Sequence, residues 1–92
     1  MVYETRNHWF IKDDGEKIEI TNLEHKTLII LARKFKKLVT YEEIAKSLYD
    51  TEVKYVMNPI RANKRRLKEK TGLKIRTEKG KGYILETEIY FK

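Results

Sequence analysis

The chain has 92 residues, a formal net charge of +7 and no cysteine. A chain of this length makes one domain with one small core, because it buries only roughly 60 to 65% of its unfolded surface. The lack of cysteine excludes disulfides and thiolate metal ligands, and two isolated histidines do not make a zinc site, so no cofactor is expected.

The distribution of charge and apolar residues narrows the class of partner. The positive charge favours nucleic acid, with an anionic membrane surface as the weaker alternative. No apolar run approaches the roughly 18 residues that span a bilayer. The N-terminus also lacks the basic-then-apolar order of a signal peptide, so we expect a cytoplasmic protein.

The first twenty residues are typical of short antiparallel strands. His8–Lys12 and Lys17–Ile20 are rich in aromatic and β-branched residues, and the polar turn between them predicts a hairpin. Ile18 and Ile20 point to one face, as a half-buried strand requires. Tyr3–Thr5 is a candidate for a third strand.

The first helix follows directly. Thr21 and Glu24 have the spacing of a capping box, in which each side chain accepts a hydrogen bond from the other residue's N–H. The helix is predicted to end near Lys36, and its inner stripe consists of Leu28, Leu31, Ala32 and Phe35. His25 lies at the edge of this stripe with no nucleophile or carboxylate in register, which favours a packed structural histidine over a catalytic base.

A second helix is predicted after a second capping box, Thr40–Glu43, and runs to about Tyr49. Its inward-facing residues are Ile44, Ala45 and Leu48. The tight connection Asp50–Lys54 joins it to a third helix. This order is that of a helix-turn-helix, whose second helix lies in the major groove of DNA.

The third helix, Val56–Thr71, combines an apolar seam with a basic face. The seam residues share one side at helical spacing and are Val56, Ile60, Asn63 and Leu67. The opposite side carries Asn58, Arg61, Ala62 and Arg65, with Arg66 and Lys68 at its margins. Such a surface suits a polyanion. Asn63 is interpreted either as a buried group bonded to neighbouring backbone or as a residue at the edge of the seam.

Both ends of this helix carry strong signals. Gly72 is a strong stop signal. Asn58 followed by Pro59 is an equally strong start signal, since Asn caps an open N–H and Pro has none to lose. A start one turn earlier, near Tyr55, is also compatible with Pro59, so the boundary stays open.

The C-terminal part is predicted to be a glycine-rich hairpin. The extended runs Leu73–Thr77 and Tyr83–Phe91 are joined by Glu78–Gly82. Two glycines permit positive φ and let the lysines at the tip project beyond the domain. A phosphate-binding loop is disfavoured, because such a loop joins a strand to a helix.

Four segments together carry a family resemblance: ITNLEHKTLIIL, VTYEEIAKSLY, YVMNPIRANKRRL and IRTEKGKGYIL. Over nearly its whole length the chain resembles the winged-helix DNA-binding domain of OmpR/PhoB-type response regulators. The resemblance implies one α+β domain over residues 1–92: N-terminal antiparallel strands in 1–20, a three-helix core in 21–71 and a β-hairpin wing in 72–92. It also implies transcriptional regulation through binding of double-stranded promoter DNA, often as a head-to-tail dimer on direct repeats.

The resemblance also suggests which residues contact DNA. The major-groove set consists of Tyr55, Asn58, Arg61, Ala62 and Arg65. Lys79 stands where the family usually has a wing arginine that enters the minor groove, and Tyr49 stands at a site that is commonly Trp near the DNA backbone. The remaining predicted contacts are Lys68, Thr77 and Lys81.

The chain also departs from the family pattern. The loop between the second and third helices is shorter than usual, and regulators of this family tend to contact RNA polymerase there, so the sequence argues against that contact. Asn63 replaces a seam residue that is usually Leu, and the N-terminal sheet is smaller than the norm. These residues contain no receiver domain, so no phosphoacceptor Asp can be named.

The predicted mechanism is binding without chemistry. Arg61 and Arg65 can each donate two hydrogen bonds to guanine, and Asn58 can bind adenine similarly. Lys68, Lys79 and Lys81 are assigned to phosphates or the minor groove. If about six phosphates are neutralised, log K falls with log salt at a slope on the order of −5.

Other interpretations remain open. Lys26, Lys34, Lys36 and Lys37 are interpreted as solvated surface charges. Trp9, Phe10, Tyr90 and Phe91 are assigned to core and sheet packing, with stacking on single-stranded bases as the alternative. The fold could instead be an interaction module for an acidic protein partner. A nuclease would need converging acidic ligands, whereas Asp13, Asp14 and Glu16 occupy a solvated turn, so no enzyme is expected.

Overall fold

The computed structural model describes residues 1–92, and the chain opens with three short antiparallel strands. They are β1 (Val2–Glu4), β2 (Trp9–Ile11) and β3 (Lys17–Glu19). The predicted hairpin is confirmed, and the third strand lies one residue earlier than expected. Phe10 stands opposite Tyr3 on one side and Ile18 on the other. Tyr3 and Phe10 are completely buried, so this face of the sheet packs against the helices.

The other aromatic residues of this sheet correct the packing prediction. Trp9 is 36% exposed, Phe91 47% and Tyr90 61%. Trp9 faces outward because it alternates with the buried Phe10 along β2. Its ring is covered only in part, by the Lys17 ammonium 4.7 Å from the ring centroid.

Helix α1 (Asn22–Arg33) begins as predicted and ends early. Thr21 Oγ1 accepts from the Glu24 N–H at 3.2 Å, and Glu24 Oε1 accepts from the Thr21 N–H at 2.8 Å, which confirms the capping box. The predicted end near Lys36 is wrong by about one turn. Lys36 has a φ of +64°, and its N–H binds the carbonyl of Leu85 at 3.0 Å. This tertiary hydrogen bond replaces a further helical turn.

A short strand, β4 (Leu38–Thr40), precedes helix α2 (Tyr41–Tyr49) and was absent from the sequence prediction. Thr40 Oγ1 caps α2 by accepting from the Glu43 N–H at 3.1 Å. The reciprocal half of the second predicted capping box is missing. The Glu43 carboxylate instead accepts from Lys34 Nζ at 3.2 Å, which joins α2 to the end of α1.

Helix α3 (Val53–Thr71) starts earlier than either predicted boundary. Pro59 lies inside the helix, so Asn58 is not its N-cap. Glu52 is the N-cap residue, without a side-chain hydrogen bond. Because Pro59 has no N–H, the ladder loses one bond within α3. The predicted stop is confirmed, since Gly72 adopts a left-handed φ of +72°.

The C-terminal segment is divided between two sheets, which corrects the prediction of one strand over Tyr83–Phe91. Strands β5 (Ile75–Glu78) and β6 (Gly82–Leu85) form an antiparallel hairpin, here called the wing. Strand β4 pairs with the other edge of β6. Strand β7 (Tyr90–Phe91) then pairs in parallel with β1, giving the order β3-β2-β1-β7 in the N-terminal sheet.

The two wing glycines serve different purposes. Gly80, at the tip, has a φ of +74°, as the sequence predicted. Gly82 does not need positive φ. A Cβ at Gly82 would collide with the carbonyl oxygen of Val39, so glycine here permits the close approach of β4 to β6.

The core lies where the N-terminal sheet, the helices and the wing sheet meet. Its largest fully buried hydrophobic side chains are Tyr3, Phe10, Leu28, Leu31, Ile44, Leu67, Leu73 and Leu85. Strands β1, β2, β4, β5 and β6 and all three helices therefore supply buried residues to one shared core, as a domain of this size requires. None of the helices combines the length and apolar character needed to cross a membrane.

Candidate nucleic-acid interface

The apolar seam of α3 faces the core. Its members are at most 9% exposed and are Val56, Ile60, Asn63 and Leu67. This confirms the predicted seam, including its polar residue. Asn63 Nδ2 donates to the carbonyl oxygen of Leu23 at 3.0 Å and to Thr27 Oγ1, which selects the buried, backbone-bonded interpretation.

Burial of this seam leaves the opposite side of α3 in solvent. The exposed side chains there are Tyr55, Asn58, Arg61, Arg65 and Lys68, and Ala62 is half-buried. None of Arg61, Arg65 and Lys68 takes part in an ion pair within the chain. These three cations can therefore exchange counterions for phosphates or base edges without breaking an internal contact.

The wing lies beside the same helix. Lys64 Nζ, from α3, donates to Thr77 Oγ1 of β5 at 3.4 Å and stands 5.2 Å from the ring centroid of Tyr83 on β6. Lys79 and Lys81 are exposed at the tip of the wing. The structure thus brings the basic face of α3 and the lysine-tipped wing together on one flank.

Lys64 and Tyr83 were not among the predicted site residues. Burial, followed by the neighbouring charge of Lys68, lowers the pKa of Lys64. Burial, with a contribution from Tyr41, raises the pKa of Tyr83 to about 12, so this phenol stays neutral. A signal for Lys64 was present in the sequence, since it lies four residues after Ile60 and so borders the seam.

Arg66, at the other margin of α3, turns toward α1. Its Nε lies 3.8 Å from Oε2 of the fully buried Glu24, and Lys70 Nζ donates to Glu24 Oε1 at 2.8 Å. Burial raises the pKa of Glu24, but the hydrogen bonds from Lys70 and the Thr21 N–H outweigh it, so the pKa lies below its ordinary value of 4.5. Sequence reasoning assigned Glu24 only to the capping box.

Tyr49 lies near Arg66, at the end of α2. Tyr49 is the last residue of α2 and is half-buried, and its hydroxyl oxygen is covered without a hydrogen-bond partner. Burial raises its pKa, and the nearby Arg66 partly offsets this. Tyr49 therefore lies near Arg66, whereas Thr77 contacts Lys64. The predicted contact of Tyr49 with the DNA backbone stays a prediction.

His25 packs in a small cluster on the N-terminal sheet. Its Nδ1 is 2.5 Å from the hydroxyl of Tyr3, and its ring stacks on that of His8 with centroids 4.0 Å apart. Burial, then the charges of His8 and Lys26, lowers the pKa of His25. His25 thus makes the packing contacts expected of a structural histidine.

The sequence also matches a known family. The family model described as "Transcriptional regulatory protein, C terminal" matches residues 15–85. The chain belongs to this family. The match takes in the three helices and both wing strands of the regulatory domain and leaves β1, β2 and β7 outside. No curated protein matches the chain in sequence.

Solved structures share the fold of this regulatory domain. The DNA-binding domain of Klebsiella pneumoniae RstA, in complex with the RstA box, superposes with a TM-score of 0.72 at 18% identity, covering 82% of this chain and 80% of that one. The DNA-binding domain of Escherichia coli CpxR superposes with a TM-score of 0.69 at 22% sequence identity, covering 84% of this chain and 78% of that one. The DNA-binding domain of Bacillus subtilis CssR superposes with a TM-score of 0.64 at 22% sequence identity, covering 84% of this chain and 98% of that one. The predicted winged-helix class is confirmed.

Proposed function

We propose that this chain regulates transcription by sequence-specific binding of double-stranded DNA, with α3 in the major groove and the wing at the adjacent minor groove. The observation that carries the proposal is the set of unpaired cations on the outer face of α3, beside a wing tipped by Lys79 and Lys81. The RstA domain, which shares the fold, was solved in complex with the RstA box. Membership in a family of transcriptional regulatory proteins supports the same conclusion.

The exposed residues divide into two roles. Arg61 and Arg65 stand one turn apart and reach base edges, where each donates two hydrogen bonds to a guanine. Asn58, one turn before, reads adenine. Lys68, Lys79 and Lys81 contact phosphates or the minor groove and add affinity with little discrimination. Tyr55 and Ala62 border the arginines and shape the surface that meets the groove.

The proposal extends to assembly on DNA. Head-to-tail pairing on direct repeats is the arrangement implied by the resemblance to OmpR/PhoB-type regulators. The connection between α2 and α3 consists only of Asp50, Thr51 and Glu52. So short a loop offers little surface for RNA polymerase, and regulation through another contact is favoured.

Selection of bound duplexes from a random pool at moderate salt tests the function. We expect recovery of a motif with guanines at fixed positions, appearing twice in direct orientation if the protein pairs head to tail. The Arg61→Ala, Arg65→Ala double variant should recover no motif from the same pool. Equal recovery of all sequences by the unmodified protein would contradict sequence-specific binding.

A further inference from the structure

A single lysine links the outer helix to the wing. Lys64 Nζ reaches Thr77 on β5 and the ring of Tyr83 on β6, so one side chain of α3 touches both strands of the wing. No other side-chain hydrogen bond or ion pair joins α3 to β5 or β6. Beside the apolar contacts of the shared core, Lys64 is thus the one polar side-chain link between α3 and the wing.

The other side of the wing is fixed to α2. The ring of Tyr41 meets that of Tyr83 edge-on, with centroids 5.3 Å apart and planes at 90°. The Tyr41 N–H also donates to the carbonyl of Lys81 at 2.9 Å. Tyr83 is thus held between the Tyr41 ring and the Lys64 ammonium, and only the second of these contacts belongs to α3.

Lys64 is poorly placed to serve as a phosphate ligand. Its side chain is half-buried and its ammonium already has two partners, whereas Lys68 is exposed one turn further along α3. Removing the ammonium from Thr77 and the face of Tyr83 would cost a hydrogen bond and a cation–π contact. The side chain is suited to hold the wing.

We propose that Lys64 is a positioning residue that fixes the separation between the outer face of α3 and the wing tip, and thereby sets the distance along DNA between major-groove and minor-groove contacts. Thr77 then acts mainly as the acceptor for Lys64. The consequence on DNA rests on the proposed function. The geometric part can be measured without DNA.

The first experiment uses the absence of cysteine from the chain. Spin labels on an Arg65→Cys, Lys79→Cys variant report the helix-to-wing distance by pulsed electron resonance. We expect one narrow distance peak, which is lost on adding Lys64→Met and regained with Lys64→Arg, since Arg keeps both the donor and the cation. Lys68→Met is the matched control and should keep the peak. An unchanged peak in the Lys64→Met protein would overturn the proposal.

The second experiment measures coupling on a selected duplex. Lys79→Ala should weaken binding roughly tenfold in the unmodified protein but less than about twofold in the Lys64→Met background, because the displaced wing no longer reaches the groove. In the Lys68→Met background the factor should remain roughly tenfold. Equal factors in all three backgrounds would show that Lys64 does not position the wing.

These outcomes separate the two proposals. If no duplex is selected, the proposed function fails, and the spin-label distances still decide the role of Lys64. Thermal unfolding is recorded for every variant. If the Lys64→Met protein does not fold, Thr77→Val removes the acceptor instead and should broaden the same distance peak.

Discussion

Asn63 of α3 donates a hydrogen bond to the carbonyl oxygen of Leu23 in α1 at 3.0 Å, across 40 positions of sequence. Thr27 Oγ1 accepts a second bond from Asn63 and itself donates to the same carbonyl at 2.9 Å. Asn63 Oδ1 is buried without a partner. This cluster ties the two helices together, yet it leaves one polar atom unsatisfied in the core.

Replacing Asn63 should therefore depend on what replaces it. Asn63→Leu removes the unsatisfied oxygen and leaves Thr27 still bonded to the Leu23 carbonyl, so the free energy of unfolding should change by less than about 1 kcal/mol. Asn63→Asp places a carboxylate against the Leu23 carbonyl oxygen, and it should lower the free energy of unfolding by more than about 3 kcal/mol. Urea denaturation at neutral pH measures both, and equal losses would contradict this account.

Glu24 should stabilise the protein in a pH-dependent way. Glu24→Gln removes the charge that Lys70 and Arg66 face and should cost about 1–3 kcal/mol at neutral pH. Because the folded pKa lies below the ordinary value of 4.5, this contribution is present above pH 4.5 and is lost as pH falls through the folded pKa.

Denaturation at neutral pH and near pH 3 measures the effect. The difference between the unmodified protein and Glu24→Gln should shrink at the lower pH. Glu69→Gln is the control, since Glu69 is exposed on α3 and forms no ion pair. A difference that stayed constant with pH would show that the Glu24 charge is not responsible.

Arg61 and Arg65 should affect binding and leave folding alone. Both side chains are exposed and unpaired, so their truncation should change the thermal midpoint little while abolishing the preference for a selected duplex. Competition between selected and scrambled duplexes measures the preference. Lys26→Ala, Lys37→Ala is the charge-matched control and should keep it. A comparable loss of folding in the arginine variant would show that these side chains pack.

The salt dependence of binding should report the phosphate contacts. We expect a slope of log K against log salt on the order of −5 for the unmodified protein, and Lys81→Ala should make it shallower by about 1. Titrations at several salt concentrations measure this slope. Lys37→Ala is the control, because it removes one positive charge at a position away from α3 and the wing. A similar change of the slope in the Lys37→Ala protein would indicate a nonspecific effect of net charge.

The stacked pair His8 and His25 should make the protein sensitive to mild acid. The pKa of His25 in the folded state lies below its ordinary value of 6.5, so the unfolded state binds protons first as the pH falls. Stability should therefore be full above pH 6.5 and decline as pH drops through 6.5 toward the folded pKa.

His8→Asn should reduce this decline, because it removes the charge that faces His25, and Asn tolerates the φ of +55° found at His8. Unfolding free energies at about pH 7.5 and pH 5 measure the decline. Lys26→Met should have a smaller effect of the same sign. An equal decline with and without His8 would leave burial and the charge of Lys26 as the causes of the lowered pKa of His25.

Several local patterns predicted the structure correctly, although the Asn58–Pro59 start signal of α3 did not. The Thr21 capping box, the four-residue seam of α3 and the Gly72 stop depend on spacing within a few turns, and the structure has all three. Predictions failed where a distant partner decides. The Lys36 N–H donates to the Leu85 carbonyl instead of continuing α1. The Glu43 carboxylate accepts from Lys34 instead of completing the capping box.

The sequence by itself determined the three helices, the side of α3 that is buried and the basic character of the side that is not, because helical periodicity is a local property. Only the tertiary structure decided that the last strand joins β1 and which side chains connect the wing to α3. Strand partners and side-chain contacts such as that between Lys64 and Thr77 depend on packing across many residues, which no local spacing records.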